Sequence, residues 1–172
     1  DACAGAPMHD VQLALNEERC LQVRSRAVGQ TYWPDAADTL GSGCFETTDL
    51  AELKDGLVYL RGRSSDQINV AGRKVFPASI ERALAAHPAV RECLVFGAPG
   101  DDGNRTEDIV ACVVARAPIG IAELKQFLLE QLPAWQVPRQ WGFVDSLSPN
   151  QRGKVSRAEW RKRFSEQQKD RS

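Results

Sequence analysis

The sequence predicts an α+β protein in two blocks. Residues 1–62 form a β-rich subdomain, part of a distorted barrel, and residues 67–172 a small α+β domain with a short antiparallel sheet and about three helices. Three observations predict this. Up to residue 62, short alternating apolar runs are separated by Gly, Thr and Asp. Beyond residue 67, strand-like runs alternate with runs of helical spacing. Between them, in a junction at 63–66, stand Ser64, Ser65 and Asp66, small or acidic residues that absorb backbone rotation without losing packed side chains and so suit a hinge.

Taken in order, residues 1–10 carry little pattern. VQLAL at 11–15 and CLQVRS at 20–25 alternate around the turn residues 16–19 and read as a hairpin. The run 27–33 is broken by Trp33-Pro34-Asp35, and 35–40 is too short to assign. Gly41-Ser42-Gly43 is a turn rather than a phosphate cradle, because no Lys-Ser/Thr and no helix follow it. Phe45 and residues 50–53 lead into a second hairpin, closed by Lys54-Asp55-Gly56 and continued over 57–61; Asp-Gly between apolar runs is a strong hairpin signal.

Past the junction, residues 67–70 and 74–76 form a hairpin around Ala71-Gly72-Arg73. Pro77 opens a helix, where its missing N–H costs nothing. Over 78–87 the spacing puts Ile80, Ala83, Leu84 and His87 on one face, and Pro88 ends the run. Residues 90–96 are a strand and 99–107 a polar loop. IVACVVA at 109–115 is a central strand covered on one face by helices. A helix over 121–132 turns Leu124, Phe127, Leu128 and Leu132 inward. Pro133 and Pro138 bracket an extended crossing, 142–145 is a short strand, and 148–153 a loop. Ser156 followed by Glu159 fits a capping box, so a final helix starts there. Its Lys/Arg excess over 157–163 reads as a solvated side, and its tail frays over 165–172.

Composition narrows the function. The chain has 172 residues, 42% of them apolar, and a formal charge of −1. That supports one or two small cores and argues against a general nucleic-acid surface, which needs a basic excess. No apolar run reaches membrane-spanning length, and the start, DACAGAPMHD, has no charged-then-apolar signal pattern. The five cysteines are scattered with no C-x-x-C, so neither zinc site nor disulfide framework is indicated, and a reducing cytoplasm is the simplest setting. His9 and His87 lack metal-ligand spacing and read as surface or helix-end residues. No metal site is expected.

The stretch GRSSDQINVAGRKVFPASIE at 62–81 resembles the hinge motif of the adenylate-forming superfamily, which comprises acyl- and aryl-CoA synthetases, peptide-synthetase adenylation domains and luciferases. Two more motifs stand in the expected order. TTDL at 47–50 is similar to the family's T-G-D-L, and NQRGKVSR at 150–157 to its N-G-K-V-x-R. Together they cover nearly the whole chain. The resemblance makes the second block a mobile lid and assigns roles. Asp49, a carboxylate able to accept two hydrogen bonds from vicinal hydroxyls, holds the ATP ribose with Arg63. Ser65 and Asp66 form the hinge. Gly72 borders the pantetheine channel. Lys154 is catalytic, its ammonium stabilising charge between an α-phosphate and an attacking carboxylate.

Each residue also has a plainer reading: Asp49 as a turn-capping acid, Arg63 paired with Asp66, Lys154 as a solvated loop lysine, and 62–81 as a linker with a tight hairpin. Four positions depart from the family pattern or bear on its branches. Thr48 replaces Gly and Ser65 stands where Asp or Lys is usual. Asn69 stands where many members have Lys, and Pro77 points to the CoA-ligase branch.

The implied reaction is activation of a small carboxylic acid with ATP and Mg²⁺ to an acyl-adenylate, followed by transfer to the thiol of CoA or of carrier-protein phosphopantetheine. The phosphate loop, acyl pocket and most of the adenine site belong to the family's N-terminal body. The chain is expected to begin in the last subdomain of that body, near Ala6-Pro7, and to be inactive without it. The expected partners are therefore that body, in the same or a separate polypeptide, the acid, and an acyl carrier protein. The other expectation is a non-catalytic module derived from the lid, docking a carrier protein or a separate N-terminal half.

Overall fold

A computed structural model describes residues 3–32, 40, 42–100, 107–147, 149, 153 and 155–169. The chain divides into two units, Asp1–Ser65 and Asp66–Ser172.

Unit 1 is an open antiparallel sheet of β1 (Cys3–Gly5), β2 (Gln12–Leu15), β3 (Cys20–Arg24), β4 (Cys44–Lys54) and β5 (Leu57–Arg63), in the order β1-β5-β4-β3-β2. The β2–β3 hairpin forms where expected. Asn16 closes it by accepting the Cys20 N–H on its side-chain oxygen at 2.8 Å, and Arg19 takes φ 65°. The β4–β5 turn places Asp55 at φ 52° and Gly56 at φ 75°. Two successive left-handed residues make the turn whose twist matches the strands, which is why Asp-Gly marks it. β1, featureless in sequence, pairs with the outer side of β5. The expected break at 33–35, the segment 35–40 except Leu40, and Gly41 lie outside the described residues, as do 101–106 of the polar loop.

Unit 2 has three layers. The middle sheet has the order β10-β9-β8, built from β8 (Val90–Pro99), β9 (Glu107–Ala115) and β10 (Gln140–Phe143). β8 and β9 pair antiparallel, whereas β10 adds to β9 in parallel. α1 (Pro77–Ala85) and α2 (Ile121–Leu129) pack on one face, and α3 (Arg157–Lys169) on the other. A separate hairpin, β6 (Ile68–Val70) and β7 (Arg73–Val75), joins the α1–α2 side.

β9 shows why its run is almost unbroken. Ile109, Ala111 and Val113 enter the core with Ile80, Leu84, Leu124 and Leu128. Val110, Cys112 and Val114 enter a second core with Leu94, Phe96, Trp160 and Phe164. The strand is therefore covered on both faces, not one, because alternate side chains leave on opposite sides and each finds a helix.

The α1 face is as the spacing predicts, with Ile80, Ala83, Leu84 and His87 buried. His87 lies just past the helix. Its Nδ1 accepts the Ala89 N–H at 3.2 Å and its ring meets Phe127 edge-on at 4.7 Å. Between Pro133 and Pro138 the chain makes a 3₁₀ turn, Ala134–Gln136, rather than a fully extended crossing, and the strand after it starts at Gln140, earlier than the pattern indicates.

Candidate functional site

Asp49 and Arg63 are cross-strand neighbours on β4 and β5. Asp49 does not end its strand. β4 runs on to Lys54, with a register irregularity after Leu50. The Asp49 amide donates to Thr47 Oγ1 at 3.1 Å, fixing the backbone under the carboxylate. Arg63 Nε donates to Asp49 Oδ1 at 3.2 Å. The side chains are 38% and 61% exposed for Asp49 and Arg63, so both polar ends face solution. A pair this open contributes about 0–1 kcal/mol to stability. It can nevertheless meet a ligand's hydroxyls with one acceptor and one donor fork. Thr48 lies in β4 within an irregularity of its register with β3, and its side chain is exposed, so the Cβ that replaces the family's glycine is accommodated.

Ser64–Asp66 forms a 3₁₀ turn, and the division between the units falls between Ser65 and Asp66. Arg63 therefore takes Asp49 as its partner, while Asp66 takes Arg157, whose Nη1 lies 2.8 Å from Asp66 Oδ2.

Arg157 is the polar residue that the sequence reading missed. The Lys/Arg excess over 157–163 reads as a solvated face, but Arg157 is only 30% exposed. Its Nη2 donates to both Glu81 oxygens, at 3.0 and 2.7 Å, and its Nε to the Val95 carbonyl at 3.2 Å. The available signal was its place as the last residue of NQRGKVSR. The acids it meets are 91 and 76 residues away in sequence, beyond any local pattern.

Gly72 sits at the β6–β7 turn with φ 80° after Ala71 at φ 49°, and no atom lies within 4 Å of where a Cβ would stand. The turn tip is thus open to a ligand. Beside it, the Arg73 guanidinium lies 5.4 Å from the Trp135 ring centre, a cation–π contact. Lys154 lies outside the described residues. The final helix is capped as expected, Ser156 Oγ accepting the Glu159 N–H at 3.4 Å.

Burial pushes the Cys93 thiol up to about 12, helped by the Glu81 charge, and the Cys112 thiol up to about 11. Neither is a nucleophile near neutrality. Among the described residues, no three His, Cys, Asp or Glu side chains cluster as metal ligands, and no helix is long and apolar enough to cross a membrane. A cleft of 720 Å³ in unit 1, lined by residues including Asp10, Arg24 and Ser42, contains none of the site residues.

Comparison with known proteins gives the frame for these residues. The AMP-binding enzyme C-terminal domain family matches residues 79–154. A fatty acid–[acyl-carrier-protein] ligase, ScoC, of Streptomyces coeruleorubidus is 40% identical over 152 residues, 86% of this chain and 29% of that protein. A 2-succinylbenzoate–CoA ligase of Bacillus licheniformis is 36% identical over 167 residues, 90% of this chain and 34% of the relative. Among solved structures, o-succinylbenzoate CoA synthetase (MenE) of Bacillus subtilis, in complex with its acyl-adenylate intermediate, superimposes with a TM-score of 0.82. The match is 25% identical and covers 92% of this chain and 35% of that one.

The chain belongs to the adenylate-forming superfamily. Within that superfamily it carries the AMP-binding enzyme C-terminal domain, at residues 79–154. It spans only 29% and 34% of the length of these two curated relatives.

Proposed function

We propose that the chain is the C-terminal portion of an acid–thiol ligase. In the first step a carboxylate oxygen attacks the α-phosphorus of ATP, an acyl-adenylate forms and pyrophosphate leaves. In the second, a thiol of CoA or of carrier-protein phosphopantetheine attacks the acyl carbon. The thioester forms, the thiol proton goes to solvent or a base, and AMP leaves. The observation that carries the reading is the Asp49–Arg63 pair, open to solution and immediately ahead of the Ser64–Asp66 turn.

Asp49 accepts the two ribose hydroxyls and Arg63 donates to one of them, so the pair orients the nucleotide. Rotation about Ser65 and Asp66 exchanges the two faces of the lid, residues 67–172, over the reaction centre. In the first arrangement Lys154 stabilises the charge gathering between phosphate and carboxylate. In the second the open tip at Gly72 borders the pantetheine arm. The triphosphate, Mg²⁺ and acid are held mainly by an N-terminal adenylation body, in the same or a separate polypeptide, without which the chain does not turn over. ATP and CoA chemistry and five free cysteines support a cytoplasmic setting.

The test combines an adenylation body with this chain and follows acid-dependent pyrophosphate release. Release that requires the chain supports the ligase. Binding of the body or of a carrier protein, with pyrophosphate release no faster than from the body alone, refutes it in favour of a docking module.

A further inference from the structure

α3 is tied to the rest of unit 2 by two arginines one turn apart. Arg157 donates four hydrogen bonds to three places: Nη1 to Asp66 at 2.8 Å, Nη2 to Glu81 at 3.0 and 2.7 Å, and Nε to the Val95 carbonyl at 3.2 Å. Glu81 Oε1 also accepts the Val95 N–H at 2.8 Å, so α1, β8 and α3 share one hydrogen-bonded knot. Arg161 Nη2 lies 2.9 Å from Glu107 Oε1, and the other Glu107 oxygen accepts the Asn69 N–H at 2.9 Å. The second tie therefore holds the β6–β7 hairpin by a separate route.

We propose that Arg157 is a positioning residue. It fastens the Asp66 side chain to unit 2, so that this carboxylate travels with the lid when the backbone turns about Ser65 and Asp66. It also ties the start of α3 to Asp66. Lys154 stands three residues ahead of Arg157 in the sequence. The inference rests on the ligase reading for its catalytic consequence, but not for the hub itself.

The chemistry favours arginine here. A planar fork with fixed donor directions can serve a carbonyl and two carboxylates together, whereas an ammonium is a point charge on a flexible stem. Asp66 and Glu81 are 28% and 19% exposed, so removing the arginine takes a forked cation away from two largely buried acids. The hairpin bearing Gly72 is held by Glu107 and by Ile68 and Val75 in the core, neither of which needs Arg157. The two half-reactions should therefore respond differently.

The experiment uses Arg157→Gln and Arg157→Lys. In the chain itself, amide hydrogen exchange is read by mass spectrometry. Arg157→Gln is expected to speed exchange of the amides of 64–68 and of the first turn of α3 by about tenfold, with 109–114 as in the wild type. In the enzyme containing the adenylation body, adenylate formation is expected to fall at least about tenfold, equivalent to ~1.4 kcal/mol. Thioester formation from supplied acyl-adenylate should stay within about twofold of the wild type, since it does not call on Lys154. Arg157→Lys keeps the charge without the fork and should stay nearer the Gln variant. Unchanged exchange at 64–68 overturns the hub. Parallel loss of both half-reactions with a lowered melting temperature, or loss of neither, overturns the positioning role. If the wild-type enzyme performs neither half-reaction, the ligase reading fails, while the exchange measurement still decides whether Arg157 holds Asp66.

Discussion

Asp49→Ala separates a ligand-binding role from a structural one. The carboxylate is 38% exposed and, among the described residues, makes one 3.2 Å bond, to Arg63, itself 61% exposed. Solvent screens such a pair, so folding should lose no more than about 1 kcal/mol, less than roughly 8 °C in the melting temperature of a small unit. The backbone bond from the Asp49 N–H to Thr47 Oγ1 survives the substitution. A bound ribose would lose the hydrogen bonds to a charged acceptor, worth about 1.5–3 kcal/mol. That corresponds to an ATP affinity weaker by about 10- to 150-fold. The assay is pyrophosphate release against ATP concentration in the enzyme containing the adenylation body, beside a melting curve of the chain. A rise in KM for ATP with an unchanged melting curve is expected. Unchanged KM, or a melting temperature lowered by more than 10 °C or so, would refute the reasoning.

Three further outcomes follow from the same contacts. Leu84→Ala removes a fully buried side chain from the core around Ile80, Val95 and Leu124 and should cost about 2–5 kcal/mol in urea unfolding of unit 2. Gly72→Ala meets no atom within 4 Å, so its folding cost is the left-handed backbone alone, about 1–2 kcal/mol; thiol transfer should fall by more than that accounts for, and unchanged transfer would remove Gly72 from the channel. Burial keeps the Cys93 thiol protonated in the folded protein up to about 12, against 9.0 ordinarily. The unfolded chain therefore loses that proton first, and this contribution to stability is complete below pH 9 and declines as pH rises towards 12. Urea midpoints from pH 8 to 10.5 should fall more in the wild type than in Cys93→Ala, and iodoacetamide at pH 8 should label exposed Cys3 before Cys93.

The sequence made plain what local periodicity encodes. Ile80, Ala83, Leu84 and His87 share a face because a 3.6-residue period admits little else, and Asp55-Gly56 turns because both residues take positive φ. What stayed hidden depends on partners far along the chain. The second covered face of β9 is made by Trp160 and Phe164, from a helix whose composition is mostly polar. The parallel addition of β10 depends on a neighbour about thirty residues earlier, and a crossover of that length carries no register signal. Arg157 shares its composition with the solvated Lys/Arg around it, and only the acids at 66 and 81 distinguish it. Of the candidate site, Asp49 and Arg63 were legible as motif residues, and the structure adds that they are cross-strand neighbours in contact.

The most direct measurement compares Lys154→Ala with the wild type in both half-reactions of the enzyme that contains the adenylation body. The account predicts that acyl-adenylate formation collapses by a factor of a hundred or so, the scale set by losing one preorganised electrostatic stabiliser, while thiol capture of a supplied acyl-adenylate proceeds almost undiminished. Adenylate formation at the wild-type rate in the variant would contradict it.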